Sequence, residues 1–319
     1  MISEELMAEG AKMQSSEGKT LGALLAWNAS HYGTAIALRE KERGIWKETT
    51  WAEYAKEVLE AAAGLEKLGV APGKAVLILG DNRARLYVGM LAVALLGGYA
   101  MPAYPGATIE ELQHFLGEVE IVAAIAEDQE QVDKILELKE AGAQGISHII
   151  YDDARGLGFY EADILMSWDH LIEVGRHELN EDPHRREELL HRTKPEDPAV
   201  FMHSSGTTGK PKGIVLSQKN VIAAVRNGHA AEVFDECEEI LAYLPIAWVG
   251  DYAITVAAAL SLRRRRAGTG SSTASRSCAS ASQTTPVSRS TKSCRLSRCW
   301  TLSVAITLTP ASSSASTSS

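Results

Sequence analysis

One stretch of the sequence decides the fold, and it runs Met202-His203-Ser204-Ser205-Gly206-Thr207-Thr208-Gly209-Lys210-Pro211-Lys212-Gly213. A short apolar run, residues 199–201, precedes it, and another, residues 214–216, follows it. This pattern predicts a strand, a loop and a second strand, and the glycines allow the loop to turn tightly. Such a loop brings together backbone N–H groups, hydroxyl groups and lysine ammonium groups, which are the donors that bind a polyphosphate.

The stretch does not match a Walker A phosphate loop, which needs a glycine, four further residues, and then Gly-Lys followed by Ser or Thr. The segment that begins at Gly206 is too short and runs into Pro211. Two other Gly-Lys pairs, at residues 18–19 and 73–74, lack either the first glycine or the hydroxyl residue. A polar hairpin loop without a ligand is the alternative, because Gly, Ser, Thr and Lys in arbitrary order are ordinary turn residues.

The order of residues from 204 to 213 closely resembles the signature loop of the adenylate-forming, or AMP-binding, enzymes. These include acyl-CoA synthetases, luciferases and the adenylation domains of peptide synthetases. The usual form has Tyr-Thr-Ser before Gly-Thr-Thr-Gly, where this chain has His203, Ser204 and Ser205. The hydroxyl groups survive that change and the tyrosine does not.

The resemblance implies an enzyme in which a carboxylate attacks the α-phosphate of ATP, giving an acyl-adenylate and pyrophosphate. A thiol, usually that of coenzyme A, then takes the acyl group. Mg²⁺ is expected to bridge phosphate oxygens and neutralise charge. By the same resemblance, the residues that bind the ATP phosphates are Ser204, Ser205, Gly206, Thr207, Thr208, Gly209 and Lys212. Lys212 is the preferred cation because it lies in the Pro-Lys-Gly end of the motif, whereas Lys210 occupies a variable position.

A second segment, residues 244–251, also resembles the family, in which Leu-Pro is followed by an aromatic residue or His and then by an acidic residue. Trp248 stands where many members have His, and Asp251 where many have Glu. A tryptophan after a strand is more often a core residue than a functional one. Because this region borders the acyl pocket in the family, the resemblance makes Trp248 a candidate for a wall or gate of that pocket.

The family pattern continues with segments for adenine, metal and ribose, and with a C-terminal domain that carries the catalytic lysine. None of these occurs before Ser319. No catalytic or metal-binding residue is therefore assigned, and the chain is predicted to be an incomplete enzyme with little or no adenylation activity. Fatty acids are the favoured substrates; aromatic or amino acids, and a non-catalytic nucleotide- or acyl-binding protein, are the alternatives.

The composition changes abruptly near Leu262. Residues 263–319 hold nine of the 32 Lys and Arg residues and none of the 41 Asp and Glu residues. This basic Ser/Thr/Arg-rich tail has too few large apolar residues for a core, which predicts disorder. We interpret it as the product of a lost reading frame. The predicted organisation is therefore an extension over 1–18, a partial AMP-binding domain over 19–262 and the tail over 263–319.

Charge and cysteine usage limit the partners and the compartment. The acidic residues concentrated before Leu262 argue against nucleic acid as the partner, which leaves small molecules, and a tail that binds nucleic acid is the least favoured alternative. Only Cys237 lies before the tail, as is usual in a reducing compartment. A cytoplasmic protein is predicted, with peripheral membrane contact for a long-chain substrate. Residues 86–109 could span a bilayer by length, but their glycines and prolines favour a buried core.

The remaining pattern predicts an α/β fold. Apolar strands at residues 75–79, 99–103, 121–126 and 146–151 alternate with helices. Strands separated in this way pair in parallel with helices on both faces of the sheet. The sequence therefore predicts part of the large domain of an adenylate-forming enzyme, with parallel-rich sheets flanked by helices.

Overall fold

The computed structural model of the chain describes residues 19–116, 118–160, 163–203, 212–231, 239–261 and 304–307. Its strands are β1 (Ile36–Glu42), β2 (Ile45–Thr50), β3 (Lys74–Leu79), β4 (Tyr99–Ala103), β5 (Glu120–Ala126), β6 (His148–Tyr151), β7 (Leu165–Ser167), β8 (Pro198–His203), β9 (Gly213–Ser217), β10 (Glu239–Ala242) and β11 (Val304–Thr307). Its α-helices are α1 (Leu21–Tyr32), α2 (Trp51–Lys67), α3 (Ala84–Leu95), α4 (Ile109–Leu116), α5 (Gln129–Glu140), α6 (Trp168–Glu181), α7 (Arg185–His191), α8 (Gln218–Ala230), α9 (Val249–Asp251) and α10 (Ala259–Ser261). A 3₁₀ turn covers Leu157–Phe159, and a π-helix, Tyr252–Ala258, joins α9 to α10.

The central sheet has five parallel strands in the order β4-β3-β5-β6-β7. The strand β3 is an interior strand that pairs with β4 on one side and with β5 on the other, so that Leu77 lies beside both Met101 and Ala124. Its apolar residues are buried without a polar alternation, as is usual for a parallel strand covered on both faces. The predicted parallel α/β sheet is confirmed.

Helices cover both faces of this sheet, as predicted. Val76 and Ile78 of β3 face the larger core cluster, which includes residues of α2, α3 and α6. Leu77 and Leu79 face a second cluster, which includes residues of α4 and α5. The alternation arises because successive side chains of a strand point to opposite faces.

A second sheet is antiparallel, in the order β10-β11-β1-β2. The hairpin of β1 and β2 turns at Arg43 and Gly44, which both have positive φ angles, of 48° and 86°. The strand β11 lies in the tail that was predicted to be disordered, so that prediction is wrong for Val304–Thr307, where apolar and β-branched residues favour a strand. The tail residues 263–303 and 308–319 lie outside the described residues.

Local capping residues set most helix starts. Thr50 and Glu53 form a capping box at the start of α2, and Thr108 and Glu111 make the same reciprocal bonds at α4. Asp81 and Asn82 are of residue types that often cap helices, but α3 begins after Arg83 without a side-chain cap. Both residues are engaged elsewhere, as described with the candidate site.

The polar segment from residue 152 to 198 forms partly buried ion pairs with α2. Glu60 of α2 is buried, and both of its carboxylate oxygens accept hydrogen bonds from Arg176 of α6, at 3.0 and 3.2 Å. Glu66 of the same helix accepts bonds from Arg185 and Arg192. These ion pairs fasten α6 and α7 to α2.

The long apolar stretch from Leu86 to Ile109 forms part of this core. It contains most of α3, whose residues from Leu86 onward are buried, and the strand β4. Within the part of the chain that the structure describes, no helix has both the length and the apolar character needed to cross a membrane.

Candidate functional site

The predicted strand–loop–strand unit is an antiparallel hairpin of β8 and β9. Its last described pair before the loop joins His203 to Gly213, so the two ends of the Ser/Thr/Gly segment lie side by side. Residues 204–211 lie outside the described residues, and the assignment of Ser204, Ser205, Gly206, Thr207, Thr208 and Gly209 to the ATP phosphates stays a prediction. Lys212 is exposed at the start of β9, immediately after the loop.

The base of this loop is held by Glu118, which precedes β5. The backbone N–H of Gly213 donates to Glu118 Oε1 at 3.4 Å, and His203 Nε2 lies 3.6 Å from Glu118 Oε2. The His203 ring also packs against Phe201, with ring centroids 5.1 Å apart. Burial lowers the pKa of His203 despite the neighbouring Glu118 carboxylate, so the imidazole is neutral at pH 7.

Trp248 lies in a second region, directly before α9. Its side chain is 49% exposed, and its indole N–H donates to the hydroxyl oxygen of Tyr104, which is 46% exposed. The backbone N–H of Trp248 donates to the carbonyl oxygen of Pro245 at 2.8 Å. Asn82 holds the same segment from the other side, because its side-chain amide donates to the carbonyl oxygen of Leu244 at 2.8 Å.

The described residues do not bring Trp248 to the base of the Ser/Thr/Gly loop. Phe201, beside the loop, packs edge-on against Tyr99 at the start of β4, with ring centroids 6.0 Å apart. Tyr104, the partner of Trp248, follows the last residue of β4. The two regions thus contact opposite ends of one strand, roughly 17 Å apart at the usual rise per residue.

A buried carboxylate, Glu127, links the carboxyl ends of β3 and β5 in the parallel sheet. In open α/β sheets, ligands bind beyond the carboxyl ends of the strands, at the point where the strand order reverses, which here lies between β3 and β5. Glu127 follows β5 at this point. Its carboxylate accepts hydrogen bonds from the backbone N–H of Asp81 at 2.6 Å and from Arg83 Nε at 2.5 Å. Glu127 therefore ties the segment after β3 to the end of β5.

Asp251 is the most deeply buried acid near Trp248, at 1% exposure. The hydroxyl of Tyr87 donates to Asp251 Oδ2 at 2.8 Å, and Thr255 Oγ1 lies 3.4 Å from the same oxygen. The other oxygen, Oδ1, has no hydrogen-bond partner among the described residues. Burial raises the pKa of Asp251 to about 7, and the bonds from Tyr87 and Thr255 only partly oppose that rise.

Comparison with known proteins adds the family to this geometry. Residues 25–265 match the model of the AMP-binding enzyme family, a span that covers more than half of the chain and includes the hairpin and the Leu244–Asp251 segment. The chain belongs to the AMP-binding enzyme family.

Two similar proteins are long-chain-fatty-acid–CoA ligases. The ACSBG2 ligase of Xenopus laevis is 25% identical over 256 residues, which cover 79% of this chain and 34% of that protein. The FadD15 ligase of Mycobacterium tuberculosis is 29% identical over 217 residues, which cover 67% of this chain and 34% of that protein. The chain thus spans about a third of the length of these relatives.

Solved structures share the fold of this AMP-binding family member. Acetoacetyl-CoA synthetase from Streptomyces lividans superposes with a TM-score of 0.59 at 21% identity, over 76% of this chain and 37% of that chain. The luciferase-like enzyme from the mealworm Zophobas morio gives a TM-score of 0.58 at 19% identity, over 76% of this chain and 52% of that chain. Together with the sheet order, these structures confirm the predicted fold class.

Several residues of this AMP-binding domain were not singled out from the sequence. Glu118 and Tyr104 belong to no recognisable sequence motif, because their roles come from contacts with residues 85 to 144 positions away. The one available signal is position, since Tyr104 and Glu127 each directly follow a predicted parallel strand. Polar residues at the carboxyl ends of parallel strands are the usual functional candidates.

Gly213→Ala tests the loop base of the AMP-binding domain. A Cβ atom at this position would overlap the Glu118 carboxylate and lie 2.9 Å from Phe201 Cε1. The Glu118 side chain can move aside but the buried ring has less freedom, so we expect a loss of about 1–2 kcal/mol in the free energy of unfolding. Urea denaturation measures it, with Gly158→Ala as the control because nothing lies within 4 Å of its added Cβ. Equal stability of the two variants would contradict the close contact.

Proposed function

We propose that this chain supplies the ATP-binding and acyl-binding part of an ATP-dependent fatty acyl-CoA synthetase. The observation that carries the proposal is the sequence Ser-Ser-Gly-Thr-Thr-Gly-Lys-Pro-Lys-Gly, which follows β8 and leads into β9, together with the pairing of these two strands. The family match supports the adenylate-forming chemistry, and the names of the relatives support a long-chain fatty acid as the acyl substrate.

The proposed reaction has two steps. A fatty acid carboxylate oxygen attacks the α-phosphorus of ATP, forming the acyl-adenylate and releasing pyrophosphate. The thiolate of coenzyme A then attacks the acyl carbon, which forms the thioester and releases AMP. The first step brings two anions together, so its barrier depends on charge neutralisation by donors and cations placed around the phosphates.

The residues proposed for that task are the Ser204–Gly209 segment and Lys212. Hydroxyl and backbone N–H groups of the segment would hold the phosphate oxygens, and the exposed Lys212 would supply positive charge next to them. Among the described residues, no group of three or more His, Cys, Asp or Glu side chains could hold a metal ion. Mg²⁺ is therefore proposed to arrive bound to ATP and to neutralise its phosphate charge.

Trp248 is proposed as a wall of the acyl site. Its exposed indole face and the neighbouring Tyr104 ring offer an apolar surface at the carboxyl end of β4. Aromatic side chains of this kind suit an alkyl chain because they present large apolar area with little loss of conformational entropy. A cytoplasmic location with peripheral membrane contact is proposed because long-chain fatty acids partition into membranes.

Lys212→Ala tests the ATP site. We expect the dissociation constant for Mg-ATP, measured by equilibrium dialysis, to rise about tenfold, because one cation–phosphate interaction is lost. Lys219→Ala is the matched control, since Lys219 is also exposed and lies 4.0 Å from Glu196, away from the loop. Equal ATP affinity in the two variants would contradict the role of Lys212.

Pyrophosphate release tests the reaction itself. The assay compares fatty, short-chain and aromatic acids, on this chain and on a version whose reading frame is restored after Leu262. We expect release with long-chain fatty acids in the restored version. ATP binding without release in either protein would support a non-catalytic nucleotide-binding protein instead, and absence of ATP binding in both would contradict the proposed function.

A further inference from the structure

We propose that Asp251 is a positioning residue that acts as a neutral carboxylic acid: it fixes the start of the helix after Trp248 and thereby holds the Trp248 side chain in place. The acyl role of Trp248 rests on the proposed function, but the protonation and the anchoring do not. Three sets of contacts carry the inference.

The first set concerns the two carboxyl oxygens of Asp251. Oδ2 accepts the hydrogen bond from Tyr87, whereas Oδ1 is buried and has no partner among the described residues. An ionised carboxylate would leave half of its charge on that unpartnered oxygen, away from water. A buried charge without donors is far more costly than a neutral hydroxyl in the same place. The neutral form therefore fits this environment.

The second set concerns the groups that face the carboxyl. The helix α3 contributes Tyr87, and the turn after Asp251 contributes Thr255. Tyr54 of α2 lies near both Tyr87 and Tyr252. All of these are uncharged at neutral pH. Within the described residues, no lysine, arginine or histidine forms an ion pair with Asp251. No cation is therefore present to stabilise its ionised form.

The third set connects Asp251 to Trp248. The backbone N–H groups of Asp251 and Tyr252 both donate to the carbonyl oxygen of Trp248, at 3.0 and 3.3 Å. The Tyr252 hydroxyl donates to the carbonyl oxygen of Ala199 in β8 at 3.2 Å. The first turn of this helix is thus fixed to α3 through Tyr87 and to β8 through Tyr252. Trp248 takes its backbone position directly from that turn.

The sign of the pH dependence follows from these contacts. The pKa of Asp251 is about 7 in the folded protein, against an ordinary value of 3.8. Between these two values the folded state holds a proton that the unfolded state has released, so stability falls as pH rises from about 4 to about 7. Above pH 7 the contribution of Asp251 no longer changes.

Asp251→Asn separates the neutral acid from its ionised form, because asparagine has the same shape and never ionises. We expect the Tm of the variant minus the Tm of the original chain to be about 5 °C higher at pH 8 than at pH 5. A Tm difference that stays constant over this range would overturn the proposal. Because each comparison is made at one pH, other titrating groups cancel.

Tyr87→Phe carries the same test if the Asp251→Asn variant does not fold. Loss of the tyrosine hydroxyl removes a donor that favours the ionised carboxylate, so the decrease in Tm should be larger at pH 8 than at pH 5. An equal decrease at both values would show that the hydroxyl has only a structural role, which would overturn the proposal.

Acrylamide quenching of tryptophan fluorescence measures the anchoring of Trp248. The contribution of Trp248 is the difference between the quenching of each protein and that of its Trp248→Phe counterpart. In the original chain we expect the Trp248 quenching constant to rise from pH 5 to pH 8, by at most about twofold because the side chain is already 49% exposed. In Asp251→Asn it should stay constant. A pH-independent constant in the original chain would overturn the link to Trp248.

Binding of palmitate to the same proteins separates this proposal from the proposed function. We expect the affinity of the original chain for palmitate to fall between pH 5 and pH 8 more than that of Asp251→Asn. Absence of palmitate binding by every protein at every pH would contradict the acyl site alone. Palmitate binding with an equal pH dependence in both proteins would overturn the positioning role of Asp251.

Discussion

Gly175→Ala is expected to lower the free energy of unfolding by about 3 kcal/mol. Gly175 lies in α6 where that helix packs directly on α2. A Cβ atom at this position would overlap the carbonyl oxygen of Glu60 and lie 2.8 Å from the backbone nitrogen of Gly64. Because the obstructing atoms are backbone atoms, the two helices would have to separate.

This cost exceeds the gain in helix propensity, which is about 1 kcal/mol for Gly→Ala in a helix interior. Gly64 has the same role on the other helix, since its added Cβ would lie 2.6 Å from the carbonyl oxygen of Leu171. Chemical denaturation measures the loss, with Gly158→Ala as the control. If Gly175→Ala were as stable as the original chain, the close approach of α2 and α6 would be incorrect.

Glu127→Ala is expected to destabilise the protein by about 3–5 kcal/mol, the usual cost of removing one partner of a buried ion pair. Glu127 and Arg83 are both largely buried, with side chains 10% and 20% exposed. Removal of the carboxylate leaves the Arg83 guanidinium without this counter-ion. It also leaves the backbone N–H of Asp81 without its acceptor.

The effect should extend to the candidate acyl site. The segment held by Glu127 contains Asn82, whose side chain binds the carbonyl oxygen of Leu244. We therefore expect weaker palmitate binding in Glu127→Ala at temperatures where the variant is still folded. Glu127→Gln is the matched control, which keeps an acceptor and loses the charge, and it should lose less stability than Glu127→Ala. Equal losses of stability in Glu127→Ala and Glu127→Gln would show that the negative charge of Glu127, and not its hydrogen-bond acceptors, stabilises this region.

Most of the fold could be predicted from the sequence because its determinants are local. Parallel strands show as continuous apolar runs, and the capping boxes at Thr50 and Thr108 fix where two helices begin. The start of α3 has no such local determinant, because the Asn82 side chain before it donates to the distant carbonyl oxygen of Leu244 and does not cap the helix. A residue type that can cap a helix is recognisable from the local sequence. A distant group that binds the same side chain instead is not.

The candidate site could be predicted only where its chemistry follows a contiguous motif. The motif singles out residues 204–213 and Trp248, whose functional roles stay predictions, and the predicted strands that flank the loop are confirmed. The pairing of Trp248 with Tyr104 and of Asp251 with Tyr87 spans 144 and 164 positions. No periodicity or spacing in one sequence specifies such contacts, because the topology of the sheet and helices creates them.

The order of strands in the parallel sheet has a consequence for synthesis on the ribosome. The interior strand β3 has two neighbours in the sheet, β4 and β5. Of these, β4 is synthesised first, and β5 leaves the ribosome later because residues 104–119 lie between the two strands. At about 5–20 residues per second, the apolar edge of β3 stays open for roughly 2–10 s after its own synthesis. Open edges of this kind pair readily with other chains. Any protection of the nascent chain from aggregation must therefore act within those seconds.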